Sequence, residues 1–129
     1  MSIKIDVSVG EIMDKLTILE IKAEKIQDQD KLANVHKERE SLLPVVDQPA
    51  YQTDEVRRLF TALKEINLKL WDIEDAIRQK EADKAFDKSF IELARAVYFT
   101  NDERAALKKQ INLATGSELV EEKSYEEYA

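Results

Sequence analysis

Residues 8–22 read SVGEIMDKLTILEIK, and this stretch carries the clearest start signal for a helix in the chain. Ser8 and Glu11 have the spacing of a capping box, in which the serine hydroxyl accepts from the Glu11 amide and the Glu11 carboxylate reaches back to the serine amide. Apolar residues then recur at alternating steps of four and three, which places them on one face of a helix: Ile12, Leu16, Leu19, Ala23 and Ile26. We therefore predict an amphipathic helix from this capping box to about Gln27.

A second helix follows after the polar break at residues 28–30. Asp30 is the predicted N-cap, because its side chain can accept from the first free amides of a helix. Pro44 is the predicted end, because a proline disfavours helical geometry in the residue before it. Residues 44–53 then read as a loop.

The third helix has the most regular apolar pattern in the chain. Thr53 is its predicted N-cap, and the helix is expected to run from Asp54 to about Glu81. One face carries seven apolar residues in the alternating four-three spacing: Val56, Leu59, Leu63, Ile66, Leu70, Ile73 and Ile77.

The fourth helical region is predicted from about Ala85 to about Ala114, with Gly116 as its C-terminal stop. Residues 100–103 have the form of a second capping box, so this region is expected to be either one helix or two helices with a bend. The helices together predict an all-α fold, an antiparallel bundle of about four helices with short connections.

The two ends of the chain differ from this helical body. Ile3, Ile5 and Val7 alternate with polar residues, which indicates a short extended N-terminal segment. Residues 117–129 form an acidic tail, expected to be either disordered or docked through Tyr125 and Tyr128.

Length and composition limit the class of protein. A chain of 129 residues is expected to form one domain, residues 1–129. It contains no cysteine, which excludes disulfides, thiolate zinc sites and a cysteine nucleophile. The net charge of -7 disfavours nucleic-acid binding, and no apolar run is long enough to span a membrane. We therefore predict a cytoplasmic protein that does not insert into membranes.

Polar residues occupy positions of the helix faces where apolar ones are expected. The apolar pattern of the fourth helical region is interrupted by polar residues for about two turns, and polar side chains also flank the apolar faces of the first and third helices. The resulting ligand-binding candidates are Lys15, Lys22, Asn67, Trp71, Arg95, Asn101, Arg104 and Lys108. Buried cations need a partner, so this cluster either holds a small anionic ligand or pairs with Asp14, Glu74 and Asp75.

Motifs for metal and phosphate chemistry are missing. The single histidine, His36, excludes a ferritin-like di-iron centre, which needs two Glu-x-x-His motifs. Carboxylates three residues apart, Glu11 and Asp14 on the first helix and Asp72 and Asp75 on the third, are expected to be solvated surface groups rather than a Mg²⁺ site. There is no glycine-rich phosphate loop and no HExxH motif. We expect no metal site and no cofactor, and the sequence leaves open whether the protein is an enzyme.

The sequence resembles a family of small bacterial helical proteins that is catalogued as a domain of unknown function. The resemblance is carried by residues 8–22, by IN at 66–67 with LW at 70–71, and by residues 97–105 and 121–125. It implies that residues 121–125 are docked rather than disordered, and it suggests a link to cell-surface polysaccharide metabolism. A second likeness, to all-helical chorismate mutases, is an analogy without a matching motif.

Two hypotheses about function follow from these patterns. The first is a self-associating helical module that forms a homodimer and binds a protein partner, since the third helix, with Phe60 and Trp71 beside its apolar face, offers more apolar surface than a short bundle covers. The second is an enzyme or sensor that binds a small anionic metabolite through the Lys/Arg cluster. A Mg²⁺-dependent nucleotide hydrolase is a third and weaker alternative.

Overall fold

The computed structural model describes residues 1–125, which form four α-helices and one short 3-10 helix. The elements are α1 (Val9–Lys25), α2 (Gln29–Val46), the 3-10 helix (Pro49–Tyr51), α3 (Asp54–Ala82) and α4 (Lys88–Thr115). No strand occurs in these 125 residues, and the helices pack against one another. The prediction of an all-α bundle of four helices is confirmed.

Three predicted helix ends are correct. The Ser8 hydroxyl accepts from the Glu11 amide at 3.1 Å, and the Thr53 hydroxyl accepts from the Val56 amide at 3.2 Å. Each bond satisfies one of the free amides at a helix N-terminus. Gly116 ends α4 in the left-handed conformation, with φ at 66°, a region that glycine enters without steric cost.

The predicted ends of α2 are wrong. Asp28, not Asp30, is the N-cap, and its carboxylate accepts from the Lys31 amide at 3.0 Å. Pro44 does not end the helix, which continues to Val46. Val46 is buried in the core, so the packing of this last turn outweighs the hydrogen bond that the proline cannot make.

The fourth helical region forms one continuous helix, α4, so the first of its two predicted alternatives is correct. It begins after Asp87, whose carboxylate accepts from the Phe90 amide at 2.9 Å, rather than near Ala85. Thr100 is 2% exposed and lies inside the helix, so it caps nothing. A capping-box pattern is local, and burial of the threonine on the inner face decides the outcome here.

The first helix lies between the other elements. It runs antiparallel to α4, because Gly10 contacts Asn112 while Asp14 contacts Arg104. α2 packs mainly on α1, and α3 and α4 form an antiparallel hairpin. The central core draws on all four helices: Met13, Leu16, Val46, Val56, Leu59, Leu63 and Ile111.

The hairpin of α3 and α4 extends beyond the rest of the bundle. These helices have 29 and 28 residues, whereas α1 has 17. Ile73 is the last buried residue of α3 and Thr100 is the first of α4. Residues 74–99, the distal hairpin, therefore contain no buried residue.

The two chain ends have no regular secondary structure in the described residues. Residues 1–7 are exposed. In the tail, Glu121 and Glu122 lie 3.0 Å and 3.1 Å from the amino groups of Lys108 and Lys109. Tyr125 is 76% exposed, and Tyr128 lies outside the described residues, so docking of the whole tail stays a prediction.

Candidate functional site

A buried carboxylate connects three helices. Asp14 of α1 is 1% exposed, and Arg104 of α4 donates to it through Nε at 2.9 Å and through Nη2 at 2.5 Å. This two-point geometry matches the planar guanidinium to the planar carboxylate. The hydrogen bond to Asp14 raises the pKa of Arg104, so the guanidinium stays charged despite its partial burial.

Asn67 of α3 completes this arrangement. Its amide nitrogen donates to Asp14 Oδ1 at 2.9 Å and to the Thr17 hydroxyl at 2.8 Å, and Thr17 donates to the Asp14 carbonyl at 2.7 Å. We call Asp14, Thr17, Asn67 and Arg104 the Asp14 network. Because its buried polar groups find partners inside the protein, it fixes how α1, α3 and α4 are placed.

Lys108 makes a second set of ion pairs one turn further along α4. Its amino group lies 2.7 Å from Glu11 and 3.0 Å from Glu121. Burial opposes the charge of Lys108, but hydrogen bonds to the two carboxylates outweigh it and raise the pKa of the amino group. The same contact lowers the pKa of Glu121. Lys108 is therefore held by acids of α1 and of the tail.

Gly10 allows α1 to approach α4 closely, and the sequence analysis did not identify it. Its amide donates to Asn112 Oδ1 at 2.6 Å. A Cβ atom at this position would lie 2.5 Å from the carbonyl oxygen of Lys108, which is helix backbone and cannot move aside. The only signal was a glycine inside a predicted helix, which often marks a packing constraint.

Four of the predicted ligand-binding residues lie together, in a cleft of about 380 Å³ between α1, α3 and α4. We call it the Trp71 cleft. The four are Asn67, Trp71, Asn101 and Arg104, and the remaining lining residues are Ile18, Ile21, Leu70, Glu74, Asp75 and Arg78. The cleft therefore combines an apolar wall and an indole ring with amides and charges of both signs.

The other four predicted residues do not line this cleft, although Arg104 also shares one small depression with Lys15 and Lys22 and another with Lys108. Lys15 is exposed and pairs with Glu38 at 2.8 Å, and Lys22 lines a shallow depression beside it. Arg95 is in the distal hairpin, with its guanidinium 5.7 Å from the centre of the Phe99 ring. Together with Lys108, which is held by acids, these residues stay outside the Trp71 cleft.

A second cleft, of about 350 Å³, lies between α1, α2 and α3, and no sequence pattern predicted it. Its wall is mostly apolar, and it includes Tyr51 and Phe60. Arg39 Nη2 is 3.7 Å from Glu20 Oε1, too far for a good hydrogen bond. Glu20 Oε2 and Arg39 Nε are buried without a hydrogen-bond partner among the described residues.

Of the paired carboxylates predicted to be solvated, Asp14 is instead buried, and none of them belongs to a metal-binding group in the described residues. No group of three or more His, Asp or Glu residues within residues 1–125 is arranged to hold a metal ion. Likewise, no helix in this range combines the length and the apolar composition that crossing a membrane requires.

Comparison with known proteins places the chain in a family but not in a functional class. No curated protein and no solved structure matches it, so the likeness to chorismate mutases stays an analogy. A family model described as a family of unknown function (DUF6165) matches residues 3–128, nearly the full length of the chain. The predicted resemblance to a family without an assigned activity is confirmed, and the chain belongs to DUF6165.

Proposed function

We propose that this protein is a homodimeric helical module of the bacterial cytoplasm, and that a second copy binds to the distal hairpin. The observation that supports this proposal is the absence of buried residues in positions 74–99, although apolar side chains continue through them. Two helices cannot enclose a core between them, whereas helices that pack in two layers can.

The apolar side chains of the distal hairpin are only partly covered. Phe86 and Ile91 are each 56% exposed. Phe90 packs edge-on against Phe86, with ring centroids 5.3 Å apart. The residues of α3 and α4 that meet inside the hairpin are half-buried: Ile77, Leu93 and Val97. Each large side chain that a partner covered would remove about 100 Å² of apolar surface from water.

A second copy of the chain suits this surface in charge and in shape. The distal hairpin carries six acidic and five basic residues, so it is nearly neutral although the whole chain has a net charge of -7. Two such hairpins can meet without strong repulsion and complete a four-helix bundle around a twofold axis. The helical part of the hairpin is about 18 Å long, so the interface is expected at the small end of specific interfaces, about 1,200 Å² in total.

Sedimentation equilibrium tests this proposal. We expect the wild-type protein to sediment as a dimer at micromolar concentration and Ile91→Glu to sediment as a monomer, because a charge in the interface would be buried without a partner. Leu113→Glu is the matched control, since Leu113 is a 69% exposed apolar residue of the same helix outside the distal hairpin. A wild-type monomer, or an Ile91→Glu dimer, would contradict the proposal.

The second part of the proposed function is that the dimer binds a further protein. A module of this kind presents two copies of its remaining surface, which suits the binding of a further protein partner. The link to cell-surface polysaccharide metabolism stays a prediction from the family resemblance.

A further inference from the structure

Arg104 has hydrogen-bonding capacity that Asp14 does not use. A guanidinium carries five N–H groups, and Asp14 accepts one from Nε and one from Nη2. Nη1 lies 3.5 Å from Asn101 Oδ1, at the limit of a hydrogen bond. The side chain is 29% exposed and lines the Trp71 cleft and two smaller depressions. Asn101, which Nη1 approaches, also lines the Trp71 cleft, so the outer edge formed by Nη1 and Nη2 is within reach of a ligand there. This edge fits a second carboxylate at two points.

Acidic residues line the cleft further along α3. Trp71, Glu74 and Asp75 follow Asn67 at intervals that place them one and two turns beyond it, about 6 Å and 10–12 Å along the helix axis. Ile18, Ile21 and Leu70 supply the apolar wall between the two ends. A ligand in this cleft would meet a cation at one end, an indole in the middle and carboxylates at the other end.

The charges of the cleft disfavour a multiply charged anion. Arg104 is neutralised by Asp14, and Arg78 pairs with Glu74 at 3.1 Å. Asp75 makes no ion pair within the described residues, which leaves one surplus negative charge in the cleft. A phosphate dianion would therefore enter against a net negative site, whereas a ligand with one charge of each sign would not.

We propose that the Trp71 cleft binds a small zwitterion with a carboxylate at one end and an ammonium group at the other, joined by an apolar chain. The carboxylate is held by the outer edge of Arg104 and the ammonium group by Asp75, and the chain lies against the ring of Trp71. An ammonium group near an indole also gains from the negative face of the ring. This proposal rests on the cleft within one chain and not on the dimer, although Glu74, Asp75 and Arg78 belong to both the cleft and the distal hairpin.

Three matched probes separate the two ends of such a ligand: 6-aminohexanoate, hexanoate and hexylamine. Trp71 is the sole tryptophan of the chain, so its fluorescence reports on this cleft alone. We expect 6-aminohexanoate to bind roughly tenfold more tightly than either single-charge probe, since each end adds a charge-assisted hydrogen bond. The proposal would be overturned if all three probes bound equally well, or if none of them changed the Trp71 fluorescence at millimolar concentration. Tighter binding of inorganic phosphate than of 6-aminohexanoate would also overturn it.

Two variants test which residue binds the carboxylate and which binds the ammonium group of the ligand. Arg104→Lys keeps a positive charge for Asp14 but removes the outer edge, so binding of 6-aminohexanoate is expected to fall about tenfold while the protein stays folded. Asp75→Asn should abolish the advantage of 6-aminohexanoate over hexanoate. Asp72→Asn is its control, because Asp72 is an exposed acid of the same helix that does not line the cleft. The assignment is wrong if Asp75→Asn and Asp72→Asn behave alike.

Discussion

Asp14 holds three helices together, because its buried carboxylate accepts from Arg104 of α4 and from Asn67 of α3. Asp14 was also predicted from the sequence as a possible partner for the basic residues, and the structure pairs it with Arg104. The pattern of polar residues on a helix face was enough to find both. The pattern could not identify the partner of each cation, because Lys15 and Lys22 are equally close to the apolar face in sequence, yet Lys15 pairs with Glu38 of α2.

Removal of the Asp14 carboxylate is expected to be costly. Asp14→Ala would leave the Arg104 charge and the Asn67 amide without their buried acceptor. We predict a loss of about 3–5 kcal/mol in the free energy of unfolding, measured by urea denaturation. Asp54→Ala, at an exposed i,i+3 pair with Arg57, is the control and should cost less than about 1 kcal/mol. Equal effects of the two variants would show that the Asp14 network is not structural.

Replacement of Gly10 by alanine is expected to lower the free energy of unfolding. A glycine-to-alanine change inside a helix usually stabilises it by up to about 1 kcal/mol. Gly10→Ala should instead destabilise the protein by about 1–3 kcal/mol, because the new Cβ would overlap the backbone of α4. Gly116→Ala is the comparison: no atom lies within 4 Å of its Cβ position, so only its positive φ is strained. An unchanged or higher urea midpoint for Gly10→Ala would refute the close approach of α1 and α4.

At the scale of elements, helices with strong local signals were predicted well. The capping residues of α1 and α3 stand directly before regular apolar patterns, so local and tertiary preferences agree. Local and tertiary preferences disagree in α2 and α4. Pro44 and the Thr100 pattern both signal a boundary, but Val46 and Thr100 are buried, and this burial keeps the helix continuous. A boundary signal inside an apolar pattern is therefore weak evidence.

The tail is expected to respond to acid. The pKa of Glu121 is lowered from its ordinary value of 4.5 by its hydrogen bond to Lys108. Because the pKa of this carboxylate is lowered, the ion pair stabilises the docked tail fully above pH 4.5. This stabilisation is lost as the pH falls through the lowered pKa. The pKa of Lys108 is raised from 10.5, so its contribution is lost only as the pH rises beyond that. We therefore predict a docked tail from about pH 5 to pH 10 that is released in stronger acid.

Amide relaxation measurements on residues 119–123 follow this release. Glu121→Gln should make these residues mobile at neutral pH, while the free energy of unfolding changes by less than about 1 kcal/mol because the pair is partly exposed. Glu118→Gln is the control, since Glu118 is an exposed acid of the same tail. A tail that stays rigid in Glu121→Gln would mean that other contacts hold it.

At the scale of the whole molecule, the fold class followed from the helix patterns, but the uncovered surface did not. The apolar pattern of α3 continues to Ile77, and the sequence analysis expected excess apolar surface near Phe60 and Trp71. Both of these residues are partly covered and line separate clefts, whereas the greater exposure is at Phe86 and Ile91. An apolar pattern shows which face needs a partner, but it does not show which part of that face already has one within the chain.

Intermolecular nuclear Overhauser effects test the proposed dimer most directly. In a mixture of isotope-labelled and unlabelled protein, filtered spectra detect only contacts between copies. For the proposed dimer we expect such contacts from the Ile91 methyl groups and the Phe86 ring to side chains of the distal hairpin in the other copy. Leu113 should give none. The proposed dimer would be contradicted if the filtered spectra showed no contacts from the distal hairpin, or showed contacts only from Leu113 and its surroundings.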